Sequence, residues 1–162
     1  MENILIAKTR DDARIPSKRH EDAGYDIYGC FDEDVLVILP NNTVSIPTGI
    51  ITAFSSDFYA QIEERGSTGS RGMSVRAGVF DSGYRGEWFI MITNVNDKPL
   101  VISKLPESLI DIDDFIYYPA SKAIAQFVML PVPKTNIIET TVNVVLNIES
   151  ERGEGRVGSS GK

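Results

Sequence analysis

WFIMITNV, residues 88–95, sets two aromatic rings beside a run of β-branched residues and alternates along its length, as a strand with one face turned inward does. Working outward, VLVIL (35–39), FYAQIE (58–63) and VNVVLNI (142–148) read the same way. Turn signals separate them at short intervals: PNN at 40–42, RGSTG at 65–69, SGYRG at 82–86 and NDKP at 96–99. No stretch of a dozen residues holds a 3.6-residue period, so long helices are not expected. An all-β sandwich, barrel or jelly roll follows. The exception is LPESLIDIDDFIYYPAS, 105–121, where PESLIDIDDF suits a short helix capped near Pro106 or a long acidic loop; it reads as an insertion.

At 162 residues the chain is the size of one ordinary domain, able to bury one substantial core. Its 42% hydrophobic and 24% charged residues are those of a soluble globular protein, and no apolar run approaches the roughly 20 residues that cross a bilayer. MENILIAKTRDDAR carries no export pattern, so a cytoplasmic protein is expected, or one of the host cytoplasm or nucleus if the source is viral. The single cysteine, Cys30, excludes an intramolecular disulfide and a cysteine-rich zinc site; the single histidine, His20, sits in the polar run SKRHED. The net charge of −7 argues against a polynucleotide partner, whose affinity would come from cations neutralising phosphates. A single nucleotide is not excluded, since a few arginines and a divalent cation suffice for a polyphosphate.

AGVFDSGYRGE, 77–87, isolates one carboxylate, Asp81, between an apolar run and a glycine-rich turn with a tyrosine three positions on. The last dozen residues, ERGEGRVGSSGK, and RGSTG at 65–69 combine glycine, serine or threonine, and arginine, the residues that let backbone N–H groups, hydroxyls and guanidinium converge on an anion. The tail also has the composition of a disordered end. Two phosphate-cradling stretches and one isolated acid suggest phosphate-ester chemistry.

These stretches resemble the trimeric deoxyuridine triphosphatases (dUTPases), whose five motifs occur in order as DAGYDI (22–27), RGST (65–68), AGVFDSGYRGE (77–87), AIAQFV (123–128) and RGEGRVGSSG (152–161). The resemblance implies a distorted jelly-roll barrel of the β-clip type, a homotrimer with active sites shared between subunits, and hydrolysis of dUTP to dUMP and pyrophosphate with Mg2+. It implies a β domain over 1–148 and a mobile arm over 149–162 that closes the site. By the same resemblance, Asp81 activates the water that attacks the α-phosphorus. Tyr84 packs under the deoxyribose, and the hairpin around Ala77, Gly78 and Val79 reads uracil through its backbone. Arg65, Gly66, Ser67 and Gln126 meet phosphates, Asp26 holds magnesium through water, and Arg152, Ser159 and Ser160 belong to the closing arm.

The chain departs from the family pattern at three positions. Val157 stands where the lid usually carries an aromatic residue, Gly66 where motif two usually has serine, and Ala123 where motif four usually has arginine. Three rivals follow. A dCTP deaminase, related to the same family, would need a glutamate near position 91, where this chain has Met91. A regulator would engage a protein partner at 105–121, through Phe115, Tyr117 and Tyr118 as exposed aromatics. A degenerate member would bind nucleotide with poor turnover.

Overall fold

The computed structural model describes residues 3–109 and 114–155. It divides into two compact units, Met1–Val132 and Pro133–Lys162. The strands of the first unit are β1 (Leu5–Lys8), β2 (Tyr25–Ile27), β3 (Val35–Ile38), β4 (Thr43–Pro47), β5 (Ile50–Ala53) and β6 (Phe58–Glu63), then, after the one-turn helix α1 (Gly66–Gly69), β7 (Met73–Arg76), β8 (Val79–Asp81), β9 (Phe89–Asn94), β10 (Leu100–Ser103), β11 (Ile116–Pro119) and β12 (Ala125–Pro131). They form four small sheets in the orders β1-β5, β11-β10-β3, β2-β12-β6-β8 and β4-β9-β7, so the all-β, jelly-roll-like expectation holds. All pairings among the described strands are antiparallel except β10 with β11. No helix among the described residues is long and apolar enough to cross a membrane.

Alternation decides what each strand buries. In β9, Ile90 and Ile92 are fully buried while Phe89 and Met91 look outward. In the β2-β12-β6-β8 sheet the inward set is Ile27, Phe127, Ala125, Ile62 and Ala60, all buried. An aromatic stack fills the space beneath: Trp88 lies 4.3 Å from Phe80 face to face and 5.3 Å from Phe127 edge to face, and Tyr25 stacks on Phe127 at 4.9 Å. Burying each large side chain of this set contributes about 1.5–3 kcal/mol, which fixes the register of the whole sheet.

Two sequence expectations need correction. VNVVLNI is not a strand: Val142–Leu146 is a short helix, α2, closed by Val145 N–H donating to the Thr141 carbonyl. Its apolar residues also recur at helical spacing, and its backbone donors are met locally, as in Asn147 N–H on the Asn143 carbonyl at 3.1 Å. All the described strands lie in the first unit, and nothing after Pro131 joins a sheet among the described residues. Finally, 105–121 is not a loop throughout. It holds a 3-10 turn at Glu107–Leu109 and then β11, which pairs in parallel with β10. Tyr118 is fully buried with its hydroxyl donating to the Ala123 carbonyl at 2.6 Å, and Tyr117 is half-buried with its hydroxyl on the Leu105 carbonyl at 2.9 Å. Neither is an exposed aromatic, and Phe115 is half-buried as well.

Candidate active site

Four of the residues singled out by the sequence fall on one face of a sheet. Along β6, the inward Ala60 and Ile62 alternate with the outward Tyr59, Gln61 and Glu63. The register sets Asp81 opposite Tyr59, Val79 opposite Gln61, Gln126 opposite Glu63, and Asp26 opposite Gln126. Asp81, Val79, Gln126 and Asp26 thus share the outer face of a single four-stranded sheet, by the two-residue period alone.

They do not share one cavity. The first, about 350 Å³, is lined by Ser45, Ala77, Val79, Phe80, Asp81, Tyr84, Glu87, Phe89 and Met91. Its floor is a hairpin held at close range: Ile62 N–H donates to the Gly78 carbonyl at 2.6 Å, and a Cβ on Gly78 would stand 2.9 Å from the Ile62 carbonyl oxygen. Ala77 takes φ of +50°, a conformation a larger side chain rarely adopts. Gly78 itself lies behind the lining residues. Past the exposed Asp81 carboxylate, the turn closes with Tyr84 N–H on the Asp81 carbonyl at 3.1 Å, and the Tyr84 hydroxyl donates to the Glu87 carbonyl at 3.1 Å. Gly86 leaves the room that ring occupies. Glu87 in turn accepts from Gly49 N–H at 2.8 Å, tying the turn to the start of β5.

The second cavity, about 760 Å³, is polar and contains Asp26, Arg65, Gly66, Ser67 and Gln126 with Lys18, Arg19 and Asp22. Arg65 grips Asp26 with two hydrogen bonds, Nε to Oδ1 at 2.7 Å and Nη2 to Oδ2 at 3.1 Å, and reaches Ser67 Oγ with Nη1 at 3.1 Å. The planar fork matches the carboxylate and leaves the guanidinium oriented and half-buried. Gln126 donates to the Glu64 carbonyl at 2.9 Å, and only a glycine at position 24 leaves space for its amide. Among the described residues no cluster of three or more acidic, histidine or cysteine side chains could cage a metal ion.

No residue lines both cavities. Tyr59 and Glu63 are four residues apart on β6, ~13 Å, and β8 and β12 are two strand spacings apart, ~10 Å, so the Asp81 and Gln126 backbones stand roughly 16 Å apart. Arg152 belongs to the second unit, where its Nε donates to the Gly155 carbonyl at 3.0 Å. Val157, Ser159 and Ser160 lie outside the described residues.

Sequence reasoning missed Phe89, Glu87 and Ser45 in the first cavity and Lys18, Arg19 and Asp22 in the second. Phe89 could have been found from the strand period, since the residue before a buried Ile90 must face out. Lys18 and Arg19 could not, because they reach the cleft only as the loop ahead of β2 folds back through the Ser17–Asp26 bridge. Met91, where a deaminase would carry its glutamate, is in the wall beside Asp81. Ala123 is buried, so an arginine there has no room.

Comparison with known proteins gives the family. The dUTPase family model matches residues 11–105. A deoxyuridine 5'-triphosphate nucleotidohydrolase of Clostridium tetani is 33% identical over 98% of this chain and 97% of its own length, and one of fowlpox virus is 31% identical over 99% of each. Among solved structures, a Staphylococcus bacteriophage 80alpha dUTPase mutant with dUpNHpp superposes with a TM-score of 0.71 at 22% identity, covering 98% of both chains. With its matched segment spanning both the Asp26–Arg65 cleft and the Asp81 hairpin, the chain belongs to the dUTPase family.

Proposed function

We propose that the protein hydrolyses dUTP to dUMP and pyrophosphate, with Asp81 as the base. The observation that carries the reading is the first cavity: an exposed carboxylate beside a tethered tyrosine ring and a backbone hairpin that admits only small residues. The Asp81 carboxylate takes a proton from the attacking water as its oxygen bonds to the α-phosphorus. The bond from that phosphorus to the bridging oxygen breaks, and the electron pair leaves on pyrophosphate. A positioned base contributes about 10²- to 10⁴-fold to such a step. Tyr84, its hydroxyl held by the Glu87 carbonyl, presents its ring to the deoxyribose and leaves no space for a 2′-hydroxyl. The backbone of Ala77–Val79 reads the uracil edge, so cytosine presents mismatched donors.

Arg65, Ser67 and Gln126 take up the phosphates, with Gly66 contributing backbone alone. The two cavities of one copy share no lining residue among those described, and this supports a homotrimer in which Asp81 of one subunit meets Arg65 and Gln126 of another. Magnesium, held through water by Asp26, neutralises phosphate charge when bound. Asp26, occupied by Arg65 through both oxygens, suits that outer position better than direct ligation. The arm over 149–162, with Arg152, Val157, Ser159 and Ser160, closes on the γ-phosphate.

The test is pyrophosphate release from dUTP, dCTP, dTTP and UTP in parallel. Release from dUTP alone, abolished in Asp81→Asn while nucleotide binding persists, is the expected result. Equal loss of binding and turnover would remove Asp81 from its role.

A further inference from the structure

The cavity around Asp81 has a wall that polar recognition does not use. Phe89 and Met91 stand 42% and 39% exposed on β9, between Ile90 and Ile92 that are essentially fully buried. Together with Val79 and Tyr84, 58% and 44% exposed, they give the cavity an apolar side that the solvated face of an antiparallel strand ordinarily fills with polar residues. Such a surface wants an apolar, flat occupant.

Three rings line this cavity, and two are engaged. Phe80 has its face on Trp88 at 4.3 Å, and the Tyr84 hydroxyl is tethered to the Glu87 carbonyl with its ring tilted against Phe80 at 6.0 Å. Phe89, among the described residues, makes no aromatic pair, and its strand is fixed from both sides by β4 and β7. Residues 128–162 contain no phenylalanine, tyrosine or tryptophan. We propose that Phe89 supplies the ring face against which the pyrimidine base packs, with Met91 extending that surface. This rests on the reading that the cavity takes a deoxyuridine nucleotide. It makes Phe89 a binding residue that retains the base, with no part in the proton transfer at Asp81.

The chain contains one tryptophan, Trp88, in contact with the cavity through Phe80, so its fluorescence reports occupancy directly. Wild type, Phe89→Ala, Phe89→Leu and Phe89→Tyr are titrated with dUMP by this signal and assayed for dUTP hydrolysis with magnesium. Phe89→Ala is expected to raise both the Kd for dUMP and the KM for dUTP roughly ten-fold, the scale of one base–aromatic contact. Its kcat should stay within about two-fold, the pattern of lost uniform binding. Phe89→Tyr should keep wild-type values, and Phe89→Leu, which preserves bulk without the ring, should fall between. Unchanged Kd and KM in Phe89→Ala, or a Phe89→Leu variant equal to wild type, would overturn the proposal while leaving the hydrolase reading intact. A wild-type protein that neither binds dUMP nor hydrolyses dUTP would overturn both.

Discussion

A Cβ built on Gly66 meets no heavy atom within 4 Å, whereas one built on Gly78 comes 2.9 Å from the backbone oxygen of Ile62. The two glycines, both from stretches that resemble the family motifs, thus have different reasons to be glycine. Gly78→Ala must push β8 off β6, and overpacking of this kind costs about 1–3 kcal/mol. Its melting temperature should drop and dUTP turnover fall at least about ten-fold, because the displaced strand ends in Asp81. Gly66→Ser should be tolerated, with melting unchanged or slightly raised as a helix position loses its glycine. Acid titration offers a second test. Asp12 is held down to about 2 from an ordinary 3.8, first by its hydrogen bonds from Arg10 and then by the Cys30 thiol. A carboxylate with a depressed value stabilises the fold above about 3.8 and loses that contribution as pH falls toward 2. Asp12 is exposed, so the effect is small: Asp12→Asn should lower the melting temperature slightly near neutrality and flatten the profile between those pH values, where the wild type falls to meet the variant.

At the scale of elements, β11 ties the segment 105–121 into the fold. Tyr118→Phe removes the donor to the Ala123 carbonyl and leaves that buried acceptor unpaired, so thermal unfolding should show a loss of about 1–3 kcal/mol. Deleting all of 105–121 would remove β11 and is no test of a loop; a change confined to Glu107–Leu109 leaves the strand. The same element shows where sequence reading stops. FYAQIE and WFIMITNV were legible because each alternates and each buries one face. IYYP, hidden in an acidic stretch, is a strand only because Leu100–Ser103 presents an edge to it, and no local pattern encodes that edge. VNVVLNI failed in the opposite sense: its composition favours a strand, but no strand pairs with it among the described residues and the backbone closes on itself. Asp81, Tyr84, Arg65 and Gln126 were legible from the motifs. Phe89 and Glu87 became visible only once the hairpin and β9 met around one cavity.

For the whole molecule, the decisive feature is that the Asp81 cavity and the Arg65–Gln126 cavity have no lining residue in common. Two chains, each with one lesion, can therefore test whether a complete site draws on more than one copy. Asp81→Asn disables the first cavity and leaves the second intact; Arg65→Ala does the reverse. If every site lies within one chain, mixing the two inactive variants gives only inactive sites. If a site joins Asp81 of one subunit to Arg65 of the next, it works whenever the first is the Arg65→Ala chain and the second the Asp81→Asn chain. In a trimer that contains both variants, whichever is present twice, one of the three junctions makes this pairing, so about a third of the sites, and about a third of wild-type turnover, should return. Co-expression with two affinity tags, followed by tandem purification and pyrophosphate release from dUTP, reads this directly. Activity no higher than that of either parent would confine each site to a single chain and require Arg65 to reach Asp81 across the sheet, breaking its paired hydrogen bonds to Asp26.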